Sequence, residues 1–188
     1  MCNMKEDKKA KIKQAVYQLV AKEGLLGISM SKIAKQAGVV PSNIYVYYEN
    51  KTDLLSSIYR EAKLKIDGNL TAILAQEDTI QGKIRATATL FAKSAFTFKD
   101  EYTYMMAVNS NMEVLDEATK RFIQEMGAPL FELGQQIIDS PDFKELTFDQ
   151  IVAFSMTPVQ QLAYQRDQQF TDKELDFLVQ MILDALSA

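Results

Sequence analysis

The stretch Ser29 to Leu54 constrains this chain more than any other, because its pattern fits two short helices joined by a glycine turn. Ile33, Ala34 and Ala37 are small or apolar at one-turn spacing, Gly38 supplies the turn, and Ile44 with Tyr48 forms an inward i,i+4 pair on a second helix. That is the pattern of a helix-turn-helix. Ser29 precedes the first of these helices as a cap, and Pro41 suits the first position of the second, where its missing N–H would have no partner anyway. Val40, at the cap position of the second helix, has no side-chain oxygen to offer the free amides. Burying Ile44 and Tyr48 turns Ser42, Asn43 and Tyr47 outward, with Tyr45 and Val46 on the flank. Short polar groups, phenols and one small apolar side chain suit a groove wall better than a charged solvent face would.

The same residues carry a resemblance to a known family. Gly24 closes the first helix and Ser29 starts the second; Ile33-Ala34, Ala37-Gly38-Val39, Ile44-Tyr45, Tyr47-Tyr48, Lys51 and Leu54 follow in order. In this order they resemble the DNA-binding domain of the tetracycline-repressor (TetR) family of bacterial transcription regulators, over about residues 10–60. Two positions depart from that pattern: Val40-Pro41 stands where the family commonly has a Ser or Thr cap, and Ser42 where it often has Gly or Ala. The resemblance implies a double-stranded DNA operator as partner. Ser29 and Lys51 fall where the family tends to meet phosphate, and the phenols of Tyr45 and Tyr47 suit the same role. Asn43 can pair with an adenine edge, Val46 can meet a thymine methyl, and Ser42 can pair with several partners. Ser31, Lys32 and Pro41 complete the candidate DNA-contacting set. No Arg lies in the second helix, so the common guanine contact is absent there unless a lysine such as Lys32 or Lys35 supplies it.

Net charge looks wrong for a DNA binder until it is divided. The whole chain carries −4, yet residues 1–60 hold ten Lys/Arg against five Asp/Glu, and the remaining residues hold 11 against 20. Positive charge therefore sits with the helix-turn-helix, where Lys5, Lys8, Lys9, Lys11 and Lys13 offer a solvated face or sequence-independent phosphate contacts.

At 188 residues and 47% hydrophobic content the chain can bury a substantial core. A single cysteine, Cys2, excludes an intramolecular disulfide, and the lack of any histidine removes the commonest metal ligand and general base. No nucleophile elbow, Gly-rich phosphate loop or dinucleotide fingerprint is present. The expectation is a non-enzyme with no metal and no cofactor. No long apolar run suggests a membrane span, and no apolar core of a signal peptide follows the lysine-rich start, so a cytoplasmic location is expected.

Periodicity predicts helices throughout. The first runs from about Asp7 to Glu23, ending at Gly24; a fourth begins with the Asn50–Asp53 cap and runs to about Ala75. Amphipathic segments follow at about Ile80–Phe98, Glu101–Ser110, Met112–Met126, Pro129–Asp139, Phe148–Gln168 and Asp172–Leu186. Thr147 with Gln150, and Thr171 with Glu174, have capping-box spacing. Without alternating β-patterns, the expected class is all-α: an N-terminal three-helix reader over 1–50 and a larger helical effector-binding and dimerisation domain over 51–188.

Met and aromatic residues in the second half are ordinary packing groups at helical spacing. The family resemblance implies in addition an effector cavity there, for which Phe91, Phe98, Tyr102, Met105, Met106, Phe122, Met126, Phe154 and Met156 are candidates. Such a lining would fit a small apolar or aromatic molecule. The resemblance likewise implies a homodimer held by the last two helices, with Ile151, Phe154, Val159, Leu162, Leu175, Leu178, Val179 and Ile182 as interface candidates. These apolar faces would equally close a core. Two readings stand at this point: a ligand-responsive homodimeric repressor on a palindromic operator, and a constitutive helical DNA-architectural or protein-interaction module without an effector.

Overall fold

The computed structural model describes residues 2–165 and 168–188. Among these described residues ten α-helices follow one another: α1 Cys2–Glu23, α2 Met30–Ala37, α3 Pro41–Ile44, α4 Lys51–Asp67, α5 Leu70–Leu74, α6 Ile80–Thr97, α7 Lys99–Asn109, α8 Glu117–Asp139, α9 Phe148–Gln165 and α10 Asp172–Leu186. Short 3-10 turns at Leu25–Gly27 and Met112–Val114 interrupt them. Among the described residues the only β-pairing is an isolated antiparallel bridge between Phe143 and Ser187. The fold is all-α, as the periodicity predicts.

The chain divides into two compact units, Met1–Leu64 with Asp100–Ile123, and Lys65–Lys99 with Gln124–Ala188. The unit that holds the helix-turn-helix is thus discontinuous in sequence and runs past residue 50. Within it, Ile12, Ala15, Val16, Leu19 and Val20 of α1 are buried together with Ile33 and Ala34 of α2, and α1 packs on α2 as α2 packs on α3. In the second unit α6 packs against α5, α9 and α10. There Gly134 of α8 allows the Phe148 ring to lie against the helix backbone, since a Cβ at 134 would stand 2.5 Å from that ring.

Several boundaries differ from the sequence expectation. α1 starts at Cys2 rather than Asp7. The expected fourth helix to Ala75 is two elements, because Gly68-Asn69 separates α4 from α5 although the apolar spacing runs on through Ile66, Leu70 and Leu74. Pro129, expected to open a new helix, lies inside α8 instead. A mid-helix proline removes one i→i−4 bond and costs about 3 kcal/mol locally, and burial of Leu133 and Ile137 on the following turns offsets that cost. The expected end of α9 at Gln168 falls beside residues 166–167, which lie outside the described residues.

Candidate nucleic-acid interface

Each end of the helix-turn-helix is fixed by a local bond. Ser29, in extended conformation, accepts from the Lys32 amide at 3.3 Å and so caps α2. Gly38 closes α2 at φ 66°, a left-handed conformation that other residues adopt at a cost of about 1–2 kcal/mol. Its amide and that of Val39 return to carbonyls of α2. Val40 makes no side-chain cap, and Pro41 stands at the start of α3. α3 itself is short, ending at Ile44, but the Tyr48 amide still donates to the Ile44 carbonyl at 3.1 Å, so the inward pair keeps helical spacing. Both members are buried.

What they turn outward is a mixed surface. Val46 is 68% exposed and Tyr45 55%, Pro41 and Ser42 are exposed, and Asn43 and Tyr47 are half-buried. Ser29, Ser31 and Lys32 are exposed at the start of α2.

The lysines have structural employment that spacing alone does not disclose. Lys51 Nζ donates to the Ile28 carbonyl at 2.7 Å, and Lys32 Nζ donates to the Gly27 carbonyl at 2.7 Å and to Glu23 Oε2 at 2.6 Å. Both therefore fasten the turn between α1 and α2. The hydrogen bond from Lys32, helped by its charge, holds the Glu23 carboxyl below its ordinary range. An ammonium has three donors, so these bonds leave capacity for a phosphate oxygen while already fixing where the nitrogen stands. Lys9 lies 5.8 Å from the Tyr47 ring centroid and 5.9 Å from that of Tyr48, bringing an α1 cation to the aromatic pair of the reader. Nothing but the lysine run at the start of the chain hinted at this contact.

Burial, reinforced by the nearby Glu61 and Asp53 carboxylates and by Tyr47, pushes the Tyr48 phenol up to about 12. Its folded value exceeds its ordinary one, so the associated stability is complete below about pH 10 and is lost as pH rises through about 12; two units correspond to about 2–3 kcal/mol. Denaturant midpoints measured at pH 9 and pH 12 should fall further for the wild type than for Tyr48→Phe. Equal falls would show that other groups govern alkaline unfolding.

In the second unit, Ile73, Glu77, Arg85, Ala86, Thr89, Leu90, Lys93, Ser94, Thr97 and Phe98 line a groove of about 470 Å³ between α5 and α6. Of the nine candidate effector residues only Phe98 lines it. Phe91, Tyr102 and Met105 are buried side chains, Met106, Phe122, Met126 and Met156 are half-buried, and Phe154 is 50% exposed. The interface candidates divide as well. Ile151, Val159, Leu175, Leu178, Val179 and Ile182 are buried within their own chain, which makes them core, whereas Phe154 and Leu162 are exposed. Among the described residues the large apolar side chains that α9 and α10 expose are Val152, Phe154, Leu162, Phe177 and Met181, so the stripe used by the core is offset by one residue from the one α10 leaves open.

Among the described residues no cluster of metal-ligating side chains occurs and no helix is long and apolar enough to cross a membrane. A capped α2, a glycine turn and a short outward-facing α3 on a packed α1 define a helix-turn-helix DNA-binding unit. Residues 12–58 match the family model described as bacterial regulatory proteins, tetR family. The match falls on the helix-turn-helix segment, which is similar to that of TetR-type transcriptional regulators. A fatty acid metabolism regulator protein from Bacillus subtilis (strain 168) is 42% identical over 57 residues, which are 30% of this chain and 29% of the relative. An uncharacterized HTH-type transcriptional regulator from Haemophilus influenzae is 44% identical over 55 residues, 29% of each chain. These matches thus span under a third of the curated relatives' length. A TetR family transcription regulator from Marinobacter aquaeolei VT8 shares the fold over 100% of this chain and 99% of its own, with a TM-score of 0.82 at 20% identity.

Proposed function

We propose that this chain is a TetR-type transcriptional regulator, a homodimeric repressor that binds a palindromic operator and is released by a small apolar or aromatic effector. The observation that carries the reading is the uncharged outward surface of exposed Ser42, Tyr45 and Val46 and half-buried Asn43 beside lysines 9, 32 and 51. In this reading residues 1–50 read DNA and residues 51–188 bind the effector and pair the chains. Asn43, Val46 and Ser42 meet base edges; Ser29, Ser31, Lys32, Pro41, Tyr45, Tyr47 and Lys51 meet or approach the backbone. One chain offers one recognition helix, and two-fold pairing through the exposed face of α9 and α10 would place two in successive major grooves about 34 Å apart. An effector then acts by binding more tightly to a dimer whose helices no longer match that spacing.

Selection of a binding site from random DNA, followed by screening small apolar and aromatic molecules for release, tests this. A two-fold symmetric site lost on addition of one of them is the expected result; sequence-independent binding, or a site no molecule releases, counts against it. On the selected site, Tyr47→Phe and Lys51→Ala should lower affinity without altering the preferred sequence, and Lys51→Ala, which removes a charge, should flatten the salt dependence by about one phosphate contact. Because Lys51 also holds the Ile28 carbonyl, its variant should lose some thermal stability too, and Tyr47→Phe should not. A changed consensus in either variant would reassign that side chain to base reading.

A further inference from the structure

Behind the DNA-facing side chains a line of polar contacts runs along α4. The amide of Glu49, next to Tyr48, donates to Asp53 Oδ2 at 2.9 Å. Asp53 Oδ1 accepts from the Ser57 hydroxyl at 3.4 Å, and Ser57 Oγ accepts from Arg60 Nη2 at 3.1 Å. Asp53, Ser57 and Arg60 stand at i, i+4 and i+7, on one face of the helix. The other nitrogen of the fork, Arg60 Nη1, donates to Thr119 Oγ1 and lies 3.6 Å from Asp116 Oδ2.

Asp116 and Thr119 are themselves fixed. The Asp116 amide donates to Ser56 Oγ at 2.9 Å, and Asp116 Oδ1 accepts from the Thr119 amide at 2.6 Å. Partial burial works to raise the Asp116 carboxyl, but its bonds to Thr119 and Ser56 and the neighbouring Arg60 charge hold it below the ordinary range. Thr119 is fully buried, and its hydroxyl meets both the Arg60 guanidinium and the Asp116 carboxylate. All these residues belong to the unit that contains the helix-turn-helix. The planar guanidinium hydrogen-bonds Ser57 and Thr119 and pairs with Asp116 at fixed angles, which a single ammonium does not reproduce.

We propose that Arg60 is a positioning residue for DNA recognition: by bridging the Asp116–Thr119 turn to Ser57 and Asp53, it sets where the C-terminal end of the recognition segment stands. The turn that opens α8 thereby governs operator affinity without touching DNA. The proposal rests on the operator-binding reading above, and its test separates the two.

Without DNA, hydrogen exchange of the Glu49 amide should accelerate in Arg60→Met and in the near-isosteric Thr119→Val, while the Val39 amide keeps its wild-type rate. On an operator selected with the wild type, both variants should bind about fivefold or more weakly with an unchanged consensus, and Arg60→Lys should recover part of the loss. Thr119→Val combined with Ser57→Ala should lose no more than the worse single variant, because both sever one line. Wild-type exchange at Glu49 together with wild-type affinity in folded Thr119→Val overturns the proposal, as do independent, additive losses at Ser57 and Thr119. If Arg60→Met fails to fold, Thr119→Val decides by the same two readings. A wild type that selects no operator sinks the functional reading alone, and the exchange measurement still decides the relay.

Discussion

The double variant Phe177→Glu, Met181→Glu is expected to fold, to be monomeric by light scattering, and to bind the operator about 10²–10⁴-fold more weakly, the range by which linked sites exceed single ones. Both side chains are more than half exposed in the isolated chain, Phe177 at 69% and Met181 at 54%. Their replacement therefore leaves the core intact, and surface changes of this kind usually shift stability by no more than about 0.5 kcal/mol. In a dimer held by this face each copy would bring two unpaired carboxylates into an apolar contact, at a cost of several kcal/mol per buried ion. The neighbouring pair makes the control. Leu178 and Ile182 are 5% and 2% exposed, so glutamates there enter the core, and unfolding is the expected result against a total stability of about 5–15 kcal/mol. A folded, dimeric Phe177→Glu, Met181→Glu protein would place the interface on another surface.

Asn43→Ala is expected to relax preference at one base pair per half-site, costing about 1–3 kcal/mol on the best operator and little on random DNA. Asn43 is half-buried on the outward side of α3, and its carboxamide can present a donor and an acceptor side by side to an adenine edge. The result separates it from Tyr47, whose loss should weaken all sequences alike. A fall of equal size on operator and random DNA would mean that Asn43 orients the helix instead of reading a base.

The local features of the fold were legible because their causes lie within a few residues. Ser29 caps α2, Gly38 takes the left-handed turn, and the Thr171–Glu174 capping box forms as its spacing predicts. Thr147 and Gln150 likewise exchange bonds at the start of α9. What escaped depends on partners distant in sequence. Pro129 reads as a helix start, since nothing nearby announces the packing that carries α8 through it. Leu178 reads as interface while Phe177 goes unnoticed, because an amphipathic stripe shows which residues avoid water and not which partner covers them. Lys51 reads as a phosphate contact alone; its bond to Ile28 joins residues 23 positions apart. Arg60, at the centre of the α4 line, carries no motif at all, and only the fold brings residues 59 positions further on to its guanidinium.

The isolated bridge between Phe143 and Ser187 belongs to a small latch. The Lys144 amide donates to the Leu186 carbonyl at 2.8 Å, the Ala188 amide donates to the Asp142 carbonyl at 3.0 Å, and Lys144 Nζ meets the carbonyls of Asp184 and Ala185. Backbone bonds thus join both ends of the segment 142–188, making α9 and α10 two sides of a closed frame. A frame pinned at its corner resists sliding of one side along the other, since a shift of even one residue in α10 would break every rung of the latch at once. Sliding that keeps these bonds must carry both helices together, so α9 and α10 are suited to shift along their axes as one piece.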